Sequence, residues 1–87
     1  MIKAKKSLGQ NFLTDPNIIN KIVNIVDIKD KNILEIGPGT GNLSSKILDH
    51  YPKKMIVIEK DKNLANLLKD NFGSKIIIIN QDVLKIN

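Results

Sequence analysis

Hydrophobic residues recur along the chain at two alternating periods, one helical and one typical of buried strands. The first helical stretch has apolar residues three or four positions apart, at Ile18, Ile19, Ile22, Ile25 and Val26. Asp15 and Pro16 precede them, in the order of an N-cap followed by proline at the first helical position. This pattern predicts a helix over 15–26.

Three short apolar segments bounded by turn residues predict strands at 32–36, 55–59 and 75–80. The third is an isoleucine run, which is typical of a parallel strand covered on both faces. Because the strands alternate with helical segments, short right-handed crossovers favour a parallel, doubly wound α/β sheet.

Two further helices are predicted between these strands. Leu43, Ile47 and Leu48 indicate one that ends near 50–52. For the other, Asp61 is a candidate N-cap and Gly73 a candidate end. Its expected apolar face consists of Leu64, Leu67, Leu68 and Phe72.

A glycine-rich loop follows the first strand, with Glu35 before it and glycine at Gly37, Gly39 and Gly41. Glycines at this place let the backbone pass close to a ligand at the carboxyl edge of a sheet. A dinucleotide-binding G-x-G-x-x-G pattern beginning at Gly37 needs glycine where this chain has Asn42, so the spacing argues against pyrophosphate binding. A tight turn without a ligand is the alternative.

Two acidic residues follow the next two strands. Glu59 lies about twenty residues beyond the loop, where an acid can accept both hydroxyls of a ribose. Asp82 can accept a hydrogen bond from an adenine amino group, and the backbone of Val83 can complete recognition of the base edge. Parallel strands would bring the loop and both acids to one crevice. The alternatives are a solvated charge for Glu59 and a turn-capping role for Asp82.

Composition narrows the possible functions. Fourteen lysines against 9 acidic residues give a net charge of +5, which favours a polyanionic partner, although general richness in lysine, asparagine and isoleucine explains it equally well. The absence of cysteine excludes disulfides, thiolate zinc sites and a cysteine nucleophile, and suits a reducing cytoplasm. No apolar run approaches the length of a membrane span. We therefore expect a soluble cytoplasmic protein without a metal, in which His50 and Tyr51 are structural.

The 87 residues suffice for one small domain preceded by an arm. Residues 1–14 form the basic arm, whose Lys3, Lys5 and Lys6 either contact phosphate or remain solvated. Residues 15–87 form the first half of the predicted domain.

Four segments together carry a family resemblance: the arm from Lys5 to Leu13, the loop from Glu35 to Gly41, Glu59 to Asp61, and Gln81 with Asp82. In this order they resemble the ribosomal RNA adenine dimethyltransferases over nearly the whole chain. The resemblance implies the amino-terminal half of a Rossmann-like methyltransferase fold with a parallel sheet, and S-adenosylmethionine as the cofactor.

The resemblance also implies a set of cofactor-binding residues. Gln10, Asn11 and Leu13 would lie over the methionine end, with Gly37 and Gly39 at its backbone-facing side. Glu59 would hold the ribose and Lys60 would lie beside the adenine, whose edge Asp82 and Val83 would read.

The activity implied is dimethylation of N6 on two adjacent adenosines of small-subunit ribosomal RNA, with that RNA and the small subunit as partners. An erythromycin-resistance type of enzyme acting on large-subunit RNA, and a non-catalytic cofactor- or RNA-binding module, remain alternatives. The family's Asn-x-Pro-Tyr-like catalytic motif and carboxyl-terminal helical domain are absent from these 87 residues. We therefore name no catalytic residue and expect this chain alone to be inactive. We also expect it to self-associate through an unpaired edge of its first strand.

Overall fold

The computed structural model of the chain describes residues 15–86. These residues contain, in order, α1 (Pro16–Val23), β1 (Asn32–Ile36), α2 (Asn42–Leu48), β2 (Lys54–Ile58), α3 (Lys62–Phe72), a 3₁₀ helix (Gly73–Lys75), β3 (Ile77–Ile79) and a second 3₁₀ helix (Val83–Lys85). The predicted order of a helix followed by alternating strands and helices is confirmed.

The strands form a parallel sheet in the order β1-β2-β3. Ile36 is the register partner of Ile58, which in turn pairs with Ile79, so all three strands end at the same level. The loops that follow them therefore meet at one side of the sheet, here called the carboxyl edge. The segments that precede them meet at the opposite side, the amino edge.

The hydrophobic core lies between the helices and one face of the sheet. Each helix supplies a nearly inaccessible side chain to it, namely Val23, Ile47 and Leu68. Met55 and Val57 of the central strand pack against them. Full burial of such a side chain stabilises the fold by about 1.5–3 kcal/mol, so this layer holds the helices on the sheet.

The other face of the sheet is only partly covered among the described residues. Leu34, Ile36 and Ile77 alternate with the core positions along their strands and are 57%, 56% and 48% exposed, respectively. The expectation that the isoleucine strand is covered on both faces is therefore wrong within residues 15–86. All three helices pack on the face that carries Met55 and Val57, so they leave the opposite face open.

The first helix is shorter than its apolar spacing predicted. It ends at Val23, and Ile25 and Val26 are 76% and 60% exposed. The side-chain amide of Asn24 donates to the carbonyl oxygen of Asn20 at 2.7 Å. That carbonyl would otherwise accept the backbone N–H of Asn24, so the side chain competes with continuation of the helix.

The predicted helix caps are confirmed. Asp15 accepts the backbone N–H of Asn17 at 2.9 Å, and Asp61 accepts that of Asn63 at 2.8 Å. Gly73 ends α3 with φ of 56°. The apolar face of α3 differs in one position, because Leu67 is 41% exposed.

Within residues 15–86, β1 pairs only with β2, so its outer edge has no strand partner there. No helix in this part of the chain is long and apolar enough to cross a membrane. The same residues bring no three histidine, aspartate or glutamate side chains together as a metal cluster.

Candidate cofactor site

The carboxyl edge is held together by backbone hydrogen bonds between consecutive strand ends. The N–H of Gly37, just beyond β1, donates to the carbonyl oxygen of Ile58 at 2.9 Å. The N–H of Glu59, just beyond β2, donates to that of Ile79 at 2.9 Å. The glycine loop and the acid at the end of β2 are therefore fixed relative to each other by the sheet itself.

Glu59 is the central side chain of this edge. It is only 6% exposed. Its Oε1 accepts the N–H of Gly39 at 3.3 Å, and its Oε2 accepts the N–H of Asp61 at 2.8 Å. Each carboxylate oxygen has two lone pairs, so each retains one acceptor position for a ligand hydroxyl. The two backbone donors thus orient a carboxylate that can still bind a diol.

Asn80 also belongs to this edge, although sequence reasoning did not single it out. Its side-chain amide donates to the carbonyl oxygens of Glu59 at 2.9 Å and Lys60 at 3.1 Å. This amide thereby fixes two successive backbone carbonyls, those of Glu59 and Lys60, next to the Glu59 side chain. The available signal was a polar amide directly after an apolar strand, next to Glu59 in the sheet register.

Asp82 and Val83 lie at the end of the third strand, as expected. Asp82 is half-buried, and its Oδ1 accepts the N–H of Leu84 at 3.0 Å. The turn-capping role considered as an alternative is therefore present. It does not exclude ligand binding, because the same side chain also lines the cleft at this edge.

A small cleft of about 130 Å³ lies at the carboxyl edge. Its lining residues are Ile36, Gly37, Ile58, Glu59, Lys60, Gln81, Asp82 and Val83. Ligand pockets typically measure about 300–1,000 Å³, so the described residues enclose only part of a cofactor-sized molecule. A larger groove of about 920 Å³ lies elsewhere and contains none of the predicted site residues.

The glycines of the loop differ in their surroundings. A Cβ added to Gly37 or Gly39 would meet no atom within 4 Å. At Gly41 it would meet the ring of Phe72 at 2.7 Å. Open space therefore borders the first two glycines, where a ligand can approach the backbone, whereas Gly41 is packed against α3.

Behind the loop, Glu35 is buried and accepts a hydrogen bond from the hydroxyl of Ser44, which is fully inaccessible. Burial raises the pKa of the Glu35 carboxyl above its ordinary value of 4.5, and the Ser44 hydrogen bond opposes this in part. The pair joins β1 to the first turn of α2 across the glycine loop. In the sequence, Glu35 is recognisable only as part of the loop motif.

The structure thus brings together six of the predicted cofactor residues. Gly37, Glu59, Lys60, Asp82 and Val83 line the cleft, and Gly39 bonds to Glu59. The other three predicted residues, Gln10, Asn11 and Leu13, lie outside the described residues.

A parallel sheet with a glycine loop and acidic strand ends at its carboxyl edge defines a Rossmann-like fold of the S-adenosylmethionine-dependent methyltransferase class. The structure is similar to a dimethyladenosine transferase from Plasmodium falciparum, with a TM-score of 0.75 and 33% identity over 84% of this chain and 28% of that one. It also resembles the 23S rRNA methyltransferase ErmE, with a TM-score of 0.75 and 28% identity over 87% of this chain and 32% of that one.

The chain belongs to the ribosomal RNA adenine dimethylase family, whose model matches residues 1–87. The ribosomal RNA small subunit methyltransferase A of Pelagibacter ubique is 58% identical over 99% of this chain and 33% of its own length. That of Mycoplasmopsis pulmonis is 47% identical over 97% of this chain and 33% of its own length. The chain therefore spans about a third of these curated relatives.

Proposed function

We propose that this chain supplies the S-adenosylmethionine-binding half of an enzyme that dimethylates N6 of two adjacent adenosines in small-subunit ribosomal RNA. The observation that carries the proposal is the oriented Glu59 carboxylate at the carboxyl edge, in a chain that matches the adenine dimethylase family along its whole length. The relatives named for the small subunit favour that substrate over large-subunit RNA. We also propose a cytoplasmic location, which is consistent with this substrate.

The residues at the carboxyl edge fit the adenosine end of the cofactor. Glu59 would accept the two ribose hydroxyls, while Lys60 and the apolar Ile58 and Val83 would border the base. Asp82 would accept the adenine amino group through its remaining lone pairs. Gly37 and Gly39 fit a ligand that passes close to the backbone, because the space beside them is open.

When bound, S-adenosylmethionine supplies an electrophilic methyl group on its sulfonium sulfur. The residues described above would bind and orient the cofactor. We assign a proton-transfer role to none of them. The predicted roles of Gln10, Asn11 and Leu13 at the methionine end complete the proposal.

Cofactor binding is tested on the chain itself by titration calorimetry with S-adenosylhomocysteine. Hydrogen bonds to a charged group are worth about 1.5–3 kcal/mol, so Glu59→Gln should weaken binding roughly 10- to 100-fold. Asp70→Asn removes an exposed acid of α3 and serves as the matched control. Equal affinities for both variants would contradict the assignment of Glu59 to the ribose.

The reaction is tested with a longer protein that contains this chain. Transfer of labelled methyl groups to small ribosomal subunits, but not to large ones, is the expected result. Transfer to large subunits would favour the erythromycin-resistance alternative. Cofactor binding without turnover would favour a binding module.

Self-association of this chain also remains a prediction. It is supported by the outer edge of β1, which has no strand partner within residues 15–86, and by the exposed Leu34 and Ile36 of the same strand. Light scattering should detect dimers or larger species that Leu34→Lys reduces. Strong hydrogen-exchange protection along 33–36 in a strictly monomeric sample would contradict the prediction.

A further inference from the structure

The amino edge of the sheet, opposite the cofactor cleft, carries five exposed lysines from three neighbouring segments. Lys29 and Lys31 precede β1, Lys53 and Lys54 lie at the start of β2, and Lys75 precedes β3. The backbone N–H of Lys53 donates to the carbonyl oxygen of Lys31 at 2.8 Å, so these two segments are in direct contact. We call these five residues the lysine edge.

The sheet register extends this row to the third strand. Lys75 ends the 3₁₀ helix that leads into β3, two residues before Ile77, which pairs with Ile56, so it lies at the amino edge near the start of β2. Neighbouring strands are about 4.8 Å apart, and the lysines therefore form a row across roughly 10 Å of the sheet. The long side chains of lysines distributed over this distance can reach phosphates of one nucleic-acid strand.

The charge balance distinguishes the two edges. Segments 27–31, 49–54 and position 75 hold five lysines against Asp27, Asp30 and Asp49, for a net charge of +2. At the carboxyl edge, segments 59–62 and 80–85 hold three lysines against three acids, for a net charge of zero. Within residues 15–86 the excess of positive charge is therefore local to the amino edge, and the rest of the chain's net charge comes from Lys3, Lys5 and Lys6 of the arm.

A groove of about 920 Å³ adjoins the lysine edge and is lined by Tyr51, Phe72 and Lys75 among others. Tyr51 is 73% exposed although its backbone is fixed in the left-handed region, with φ of 57°. Its N–H donates to the carbonyl of Leu48 at 3.1 Å, and its carbonyl accepts the N–H of Asp30 at 3.0 Å. An exposed aromatic ring on a fixed backbone is a suitable surface for stacking an unpaired base.

Asp30 and Asp49 also line the groove. These repel phosphates, so the nucleic-acid backbone is expected over the four lysines that do not line the groove, Lys29, Lys31, Lys53 and Lys54. Inside it, a carboxylate can accept the exocyclic amino group of a base, as acidic side chains do with cytosine. The two acids therefore suit the base of a nucleotide whose phosphates follow the lysine edge.

We propose that the lysine edge and its groove form a second RNA-binding surface, with phosphates on the lysines and an unpaired base against Tyr51. The proposal rests on the proposed function in that RNA is the substrate. Because this surface lies on the side of the sheet away from the cofactor cleft, the RNA bound there is a different segment from the one that is methylated. Its role is to anchor a large RNA.

The test is fluorescence anisotropy of a labelled single-stranded oligoadenylate of about 15 nucleotides, a length within the usual range of single-strand sites. The first variant combines Lys31→Gln, Lys53→Gln and Lys54→Gln. The matched control removes the same charge from exposed helical positions, through Lys21→Gln, Lys62→Gln and Lys69→Gln. Both triple variants keep Lys3, Lys5 and Lys6 of the arm, so any RNA binding by those lysines contributes equally to the two measurements.

The lysine-edge variant should reduce the slope of log affinity against log salt by about 2, since each lost phosphate contact on a single strand contributes about 0.7. The control variant should retain most of the slope that the native chain shows. Tyr51→Asn keeps a residue that tolerates the left-handed region but removes the ring, so it should weaken single-strand binding roughly 5- to 100-fold. Binding of a fully paired duplex should be unaffected by it.

Equal losses in the two triple variants, no effect of Tyr51→Asn, or no RNA binding by the native chain would each overturn the proposal. Circular dichroism verifies folding, and Lys53→Gln alone, with about a third of the slope change, replaces the triple variant if that unfolds. S-adenosylhomocysteine affinity is measured on the same samples and should stay unchanged. Failure of cofactor binding in the native chain would count against the proposed function and leave the RNA result standing.

Discussion

Replacing Gly41 with alanine should damage the fold rather than the cofactor cleft. Gly41 is the N-cap of α2 and has φ of 92°, in the region that favours glycine. A Cβ there would lie 2.7 Å from Cε2 of Phe72 and 3.0 Å from Cδ2 of Leu68. Leu68 is fully inaccessible, so the new methyl group would press on a filled part of the core.

The expected cost follows from two contributions. A left-handed backbone costs a non-glycine residue about 1–2 kcal/mol. Overpacking of a filled core costs about 1–3 kcal/mol more, and the lower entropy of the unfolded alanine variant returns about 0.4–1 kcal/mol. Gly41→Ala should therefore lower the free energy of unfolding by about 2–4 kcal/mol, a large share of the stability of a small domain.

Urea unfolding followed by circular dichroism measures this loss. Gly37→Ala and Gly39→Ala are the controls, because they share the positive φ but have no atom within 4 Å of the added Cβ. They should lose only about 1 kcal/mol of stability, from the backbone contribution. In Gly41→Ala combined with Phe72→Leu, relief of the contact should appear as a favourable coupling of about 1 kcal/mol or more.

The reasoning is refuted if all three alanine variants lose the same free energy, since the contact with Phe72 would then cost nothing. Additive losses in the double variant would refute it as well. The effects on cofactor affinity should follow the opposite order to the effects on stability. Gly37→Ala and Gly39→Ala should weaken S-adenosylhomocysteine binding, whereas the molecules of Gly41→Ala that remain folded should bind it more tightly than those two variants do.

Three further predictions concern the residues around the loop. Burial raises the folded-state pKa of Glu35, so the stability that its protonated carboxyl contributes is complete below the ordinary 4.5 and is lost as the pH rises through the raised value. As the pH increases, the stability of Glu35→Gln should therefore rise relative to that of the native chain, and parallel pH dependences in urea unfolding would contradict this. Asn80→Ala should cost about 1 kcal/mol of stability and weaken S-adenosylhomocysteine binding by releasing the carbonyls behind the cleft, whereas the exposed Asn66→Ala should change neither in calorimetry. Asp61→Ala should lower the free energy of unfolding by about 1 kcal/mol through loss of the N-cap, and Asp61→Ser should retain most of the native stability. Equal stability of the two variants in thermal unfolding would contradict this prediction.

Local sequence signals were sufficient for the order of the helices and strands and for most of the described part of the candidate site, but not for the two 3₁₀ helices. A cap acts within three residues, so Asp15 and Asp61 could be recognised from their neighbours alone. The glycine loop and Glu59 could be placed at one edge because parallel strands leave no other arrangement. The helix end at Val23 was missed, since the apolar spacing continues beyond it although Asn24 caps the helix there.

Tertiary structure decided which contacts those local elements make. Apolar spacing predicts that a residue is buried, but it does not predict on which face of the sheet the helices pack. The exposure of Ile77, which lies on the face without helices, could therefore not be predicted. Gly41 and Phe72 are far apart in sequence, and their contact depends on how α3 crosses the sheet. The chain by itself thus determined the order of its elements and the edge where its acids meet. Packing decided which side chains hold that edge in place, because such contacts depend on distances between elements that no local pattern encodes.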